Sequence, residues 1–211
     1  MKIAENTVML KVTGDYGALH PTLVWDDKRA VLIDACCPGQ GKELIEAISA
    51  AGVKAADITD IILTHQDVDH IGCVQDILDL APSAAVWAHE EEIPYLDGRK
   101  APIKTNPLLN ENGGFKGIRP LRDGDVLPVG GGIEVLHTPG HTPGHICLFL
   151  RESETMVCGD AANIMSEHLI GANPQYTFDL DEAAQSIVRI TTHDMSGAVT
   201  YHGGYLKNEF I

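Results

Sequence analysis

The segment Thr64-His65-Gln66-Asp67-Val68-Asp69-His70 places two imidazoles and two carboxylates directly after the apolar run Ile61-Ile62-Leu63. Alternate side chains of an extended segment point the same way, so His65, Asp67 and Asp69 can converge on one point. His70 follows at once and opens the next helix from another direction. Imidazole nitrogens and carboxylate oxygens are the donors that divalent ions take. The cluster can serve one ion or be shared between two. The plain alternative is a polar loop that caps a helix, with Asp69 as N-cap. A cap uses one oxygen and leaves both imidazoles unexplained.

Three further donors fall in the same kind of place. His141 follows the strand-like run ending in Leu136, inside His137-Thr138-Pro139-Gly140-His141-Thr142-Pro143-Gly144-His145. Asp160 follows Met156-Val157-Cys158-Gly159, and His202 follows Ala198-Val199-Thr200-Tyr201. The carboxyl ends of strands are where open sheets assemble their sites, and the neighbouring glycines allow the backbone to turn sharply there. His145, four residues past His141, reads as a supporting residue, and His137 as a partner of the turn. His20, His89 and His193 have no companions and read as structural. His168 and Tyr176 lie in a segment, 161–177, expected to cover the site, and are candidates for substrate contact. No Gly-x-Ser-x-Gly elbow is present, and Gly130-Gly131-Gly132 precedes a strand and so is not a phosphate cradle.

The elements that must position these donors are short. Strands are predicted at 8–12, 22–25, 30–33 and 58–63, with a helix over 41–51 whose stripe is Leu44, Ile45 and Ile48. After the donor cluster, Ile71, Val74, Ile77 and Leu78 recur at helical spacing as far as Pro82, and Gly72 is read as a close approach to whatever the cluster binds. A strand at 84–88 and a short acidic helix at 89–95 follow. The stretch 96–115 is a long polar connection of the kind that forms lids. Strands at 125–127, 133–137, 146–150, 155–158 and 198–201 complete the chain, with a last helix over 179–190 facing Leu180, Ala183, Ala184, Ile187 and Val188 inward.

At 211 residues the chain suits one domain spanning 1–211. Its formal net charge of -15 repels phosphate backbones, which argues against a nucleic-acid partner. No apolar run approaches membrane-spanning length, and the N-terminus lacks the apolar core of a signal peptide. Five cysteines without a Cys-x-x-Cys pair fit a reduced compartment, so a cytoplasmic protein acting on a small molecule is expected.

The Thr-His-x-x-x-Asp-His signature, the Pro-Gly-His-Thr-x-Gly-His turn, the Gly-Asp after a strand and the late His-Gly together resemble the metallo-β-lactamase superfamily. The resemblance runs from Leu32-Ile33-Asp34 to His202. It implies an α/β fold, a four-layer αββα sandwich of two mixed sheets flanked by helices. It also implies two divalent ions, one held by His65, Asp67 and His141, the other by Asp69, His70 and His202, with Asp160 bridging. Asp34 would support the ligand loop from behind. The departure is Asp67, where most of the superfamily carries a second histidine. An oxygen donor there admits Fe or Mn beside Zn.

The implied activity is hydrolysis of a small ester, thioester, lactone or amide by a hydroxide shared between the two ions and oriented by Asp69. A phosphodiesterase and a di-iron redox protein of the flavodiiron type are the rivals, with a catalytically silent metal-stabilised binding protein behind them. Nine residues follow His202, so neither an appended flavin domain nor the helical substrate domain of glyoxalase II enzymes is expected. Substrate choice then falls to the loops 96–115 and 161–177.

Overall fold

Strands in which both alternating faces are apolar need cover on both sides, and this chain supplies it with two sheets and outer helices. The computed structural model describes residues 1–14, 17–111 and 114–208. The first half contributes β1 (Lys2–Ala4), β2 (Thr7–Met9), β3 (Val12–Gly14), β4 (Gly17–Leu19), β5 (Thr22–Trp25), β6 (Ala30–Ile33), β7 (Asp60–Ile62), β8 (Ala85–His89) and β9 (Arg119–Leu121). The second contributes β10 (Val126–Leu127), β11 (Ile133–His137), β12 (Ile146–Leu150), β13 (Thr155–Val157), β14 (Ala162–Met165), β15 (His168–Gly171), β16 (Gly197–Thr200) and β17 (Gly204–Lys207). The helices are α1 (Gly41–Ala50), α2 (Val68–Ile71), α3 (Val74–Leu80), α4 (Ile93–Leu96), α5 (Pro107–Glu111) and α6 (Leu180–Thr191).

One sheet runs β1-β2-β5-β6-β7-β8-β9 and the other β10-β11-β12-β13-β16-β17, with β3-β4 and β14-β15 as separate hairpins. Both large sheets are mixed: β6 to β9 pair in parallel, as do β13 and β16. Alternation along β6 and β7 decides the layering. Val31, Ile33 and Ile62 meet Ile133, Val135, Ile146 and Leu148 of the other sheet, while Leu32, Ile61 and Leu63 face Leu44, Ile48, Val74 and Ile77 of the helices. On the far side Leu136, Cys147, Phe149 and Met156 pack under Ile190 of α6. The result is the αββα sandwich. Among the described residues no helix is long and apolar enough to cross a membrane.

Several expectations are corrected. The strand expected over 58–63 spans Asp60–Ile62, and the acidic helix expected over 89–95 is the end of β8 followed by a turn and α4. The chain does not end its sheet at 201, because β17 returns antiparallel to β16. In α6 the buried stripe is Ala183, Ser186 and Ile190, while Leu180 and Val188 are exposed on the neighbouring i, i+4 row. The expected continuous helix after the donor cluster is broken between α2 and α3. There Gly72 N donates to Cys36 O and Cys73 N to Ala35 O, both at 2.7 Å, so the bonds that would continue the helix go to the loop after β6.

Gly72 therefore serves a backbone contact with its own chain and not an approach to the cluster. A Cβ at Gly72 would collide with the backbone of Cys36, Cys37 and Pro38, none of which can rotate away. Gly72→Ala should cost about 3 kcal/mol of stability in urea unfolding. A loss below about 0.5 kcal/mol would show that the 36–38 loop yields and does not fix α2.

Candidate metal centre

The parallel strands β6 and β7 deliver Asp34 and Thr64 side by side at their carboxyl ends. Asp34 accepts from Thr64 N at 2.9 Å, from Thr64 Oγ1 at 2.8 Å and from His70 Nδ1 at 2.8 Å. Because the Thr64 hydroxyl donates to Asp34, His65 Nδ1–H donates to Thr64 Oγ1, at 3.0 Å. Both imidazoles thereby donate through Nδ1 and present Nε2 forward, the atom that a metal ligand uses. Burial pushes His65 down to about 4, keeping it neutral.

Asp67 occupies the N-cap position of α2 yet makes no capping hydrogen bond, and Asp69 lies inside the first turn. Asp67 Oδ2 lies 3.4 Å from His65 Nε2 and 3.0 Å from His141 Nε2. Asp160 Oδ1 sits 3.3 Å from both His70 Nε2 and His202 Nε2, and its Oδ2 lies 3.5 Å from His141 Nε2. Asp69 Oδ2 lies 3.4 Å from His202 Nε2. Two groups result, His65, Asp67, His141 and Asp160 in one, and Asp69, His70 and His202 in the other. The structure thus brings together all seven donors proposed from the sequence. Burial opposes the charge on Asp160, but His70 and His202 outweigh it and hold the carboxyl well below its usual range.

A metal fits this arrangement by an independent sign. Buried polar atoms are nearly always paired, yet His65 Nε2, His70 Nε2 and Asp160 Oδ1 are buried without a hydrogen-bond partner and all face the same space. His145 shows the contrast: its Nε2 accepts from Asp160 N at 3.1 Å and its Nδ1 pairs with Thr138 Oγ1 at 2.9 Å, so it braces Asp160 and has no nitrogen left for an ion. His137 donates to Pro143 O at 3.0 Å and holds the turn. It also stacks on His89 with the rings 4.0 Å apart and 12° from parallel. Glu91 lies beside that pair, but parallel stacked rings cannot both aim an in-plane lone pair at one ion.

In front of the donors lies a cavity of about 520 Å³ whose walls include Asp67, Asp69, Lys104, His141, Tyr176 and His202. Tyr176 thus reaches the site, whereas His168 sits exposed at the start of β15 and is not among the lining residues. The segment 161–177 is not a plain loop. It folds as the β14-β15 hairpin, and Asn163 and Asn173 join the wall. From the 96–115 connection, part of which lies outside the described residues, Lys104 reaches Asp67 and bonds His141 Nε2 at 2.8 Å.

Three functional residues escaped the sequence reading. Lys104 is one, in a stretch without periodicity. Glu92, fully buried, accepts from the loops on both sides of the first group. Tyr201 stacks on His70 at 3.8 Å, donates to Asp69 O at 2.8 Å and accepts from Cys36 N at 3.0 Å. Its signal was present as an aromatic immediately before His202. Tyr201→Phe keeps the stacking but leaves the buried Cys36 N–H unpaired, and should cost about 1–3 kcal/mol in urea unfolding. An unchanged midpoint would show that the hydroxyl holds neither segment.

Comparison with known proteins agrees with this geometry. The metallo-beta-lactamase superfamily pattern matches residues 18–205. The chain is 29% identical over 198 residues to the probable metallo-hydrolase YflN of Bacillus subtilis (strain 168), covering 82% of this chain and 75% of that protein. It is 32% identical over 140 residues to a hydroxyacylglutathione hydrolase of Xylella fastidiosa (strain M23), covering 66% of this chain but 43% of that enzyme. A metallo-beta-lactamase family protein of Thermus thermophilus superposes with a TM-score of 0.80 at 23% identity, covering 98% of this chain and 76% of the other, and speaks for the fold alone. With its sandwich, its strand-end donors and a match over nearly its whole length, the chain belongs to the metallo-β-lactamase superfamily and is a metallo-hydrolase.

Proposed function

We propose that the protein uses two divalent ions to hydrolyse a small ester, thioester, lactone or amide. The observation that carries this reading is Asp160, whose two carboxylate oxygens face the two donor groups, Oδ1 towards His70 and His202 and Oδ2 towards His141. One ion would be held by His65, Asp67 and His141, the other by Asp69, His70 and His202, with Asp160 between them. Ions bound there acidify water and polarise a carbonyl.

The chain's own groups do the rest. Asp69, on the cavity wall and partly exposed, accepts a hydrogen bond from the attacking water and orients it. Tyr176 and Lys104 contact the substrate, and Lys104 is the only lysine or arginine among the described lining residues. A single cation suits one negative charge, and the net charge of -15 works against polyanions. Acyl compounds therefore fit better than phosphodiester polymers. The Xylella relative is a hydroxyacylglutathione hydrolase, and an acyl group on the glutathione sulfur is a thioester, which supports including that class. Zinc fits the histidines, and the carboxylate of Asp67 admits Fe or Mn as well.

Metal titration should reach two ions per chain, and chelation should lower stability. At free metal about 100 times the dissociation constant the linkage is about 2.7 kcal/mol for each ion, or roughly 5–10 °C in melting temperature per ion. Saturation at a single ion would refute the paired reading. Substrate class is checked by initial rates on zinc-loaded protein with neutral and monoanionic esters, thioesters and lactones beside RNA and a phosphodiester. Turnover is expected among the acyl compounds. Cleavage of RNA without any acyl hydrolysis would overturn the assignment.

A further inference from the structure

Glu92 lies between β8 and α4 with none of its surface exposed. Its Oε1 accepts from Gln66 N and from Gln66 Nε2, each at 2.9 Å. Its Oε2 accepts from Thr142 Oγ1 at 3.1 Å and from Gly144 N at 2.9 Å. All four donors are neutral, so this carboxylate is buried without a cation bonded to it. Burial pushes it up to about 7 despite the four donors. A buried carboxyl placed so is costly, and only its four hydrogen bonds offset that cost.

What the carboxylate joins is specific. Gln66 stands between His65 and Asp67, and Thr142 follows His141. Glu92 therefore crosslinks the two loops that hold three of the four donors in the first group. The seat is close: a Cβ on Gly144 would meet the backbone of Glu92, so that turn rests directly against it. Gln66 also reaches outward. Its Oε1 accepts from Ile103 N and its carbonyl accepts from Asn106 Nδ2, both at 2.7 Å, which seats the segment bearing Lys104. The second group hangs on other supports, His70 on Asp34 and Asp69 on Tyr201.

We propose that Glu92 is the positioning residue of the first metal position, holding the His65–Asp67 loop and the His141 loop at ligating distance. This rests on the two-ion reading above. Glu92→Gln is nearly isosteric but presents one oxygen and one amide, so it can satisfy only one of the two loops.

The test is zinc titration by calorimetry, with bound metal counted after gel filtration, on wild type, Glu92→Gln and Asp60→Asn. Asp60 is a buried carboxylate paired with Arg29 at 2.8 Å at the opposite end of β7, and serves as a control for simple loss of stability. Wild type and Asp60→Asn should take up two zinc ions. Glu92→Gln should retain one ion at wild-type affinity while the other weakens by about 10–100-fold. Thr142→Val, which removes a single donor, should weaken the same ion to a smaller degree and keeps the test open should Glu92→Gln fail to fold. Two ions bound by both variants with unchanged affinities would overturn the proposal. So would an equal loss at both positions matching that of Asp60→Asn. A wild type that takes up fewer than two ions sinks the two-ion reading itself, and the positioning claim with it.

Discussion

The Asp34 carboxylate is the tie on which the centre depends. It receives Thr64 twice and His70 once, and so joins the end of β6 to the segment after β7 and to the start of α2. Asp34 holds a left-handed backbone, with φ of 61°, that a non-glycine residue adopts only at a cost of about 1–3 kcal/mol. The three hydrogen bonds offset that cost. Through Thr64 the same carboxylate also sets the tautomer of His65, so one buried anion orients two imidazoles. Residues on neighbouring parallel strands, thirty positions apart in sequence, are brought together by the register of Val31 with Asp60 and Ile33 with Ile62.

Around that tie the supports divide. Asp34 lies behind both donor groups, Tyr201 behind the second, Glu92 behind the first and His145 behind Asp160. In front, Asp67, Asp69 and Asp160 turn three carboxylates toward one cavity. Three negative charges in a partly dry space repel unless a positive charge stands among them. His70, His202 and Lys104 supply part of it here, and divalent ions would supply the rest.

Much of this was legible because it depends on position relative to strands. A donor immediately after an apolar run falls at a sheet edge whatever the details, so His65, Asp67, Asp69, His70, His141, Asp160 and His202 could be picked out together, while the sandwich of two mixed sheets was implied by the family resemblance that those motifs carry. What stayed hidden depends on three-dimensional closure. Glu92 looks like the third of three acidic residues, and only burial separates it from Glu90 and Glu91. The β14-β15 hairpin turns through Ser166 and Glu167, both at positive φ, where the usual signal is asparagine or glycine. Leu180 and Val188 have helical spacing, but the helix is rotated so that Ala183, Ser186 and Ile190 face the sheet. The sequence period defines a stripe, while packing chooses among neighbouring ones.

His202 sits in the tight connection between β16 and β17, and β16 reaches the sheet by parallel pairing with β13 across the whole of α6. His65 and His141 lie further apart along the chain than β13 and β16, yet their rings meet at 4.8 Å. Each donor group takes residues from both large sheets, His65 and Asp67 with His141 and Asp160 in one, Asp69 and His70 with His202 in the other. Neither group can assemble on half of the chain, because closing such long loops comes only with the docking of the two sheets. Retention of metal by either group would therefore report a finished sandwich, and fragments divided between the sheets would lose both together.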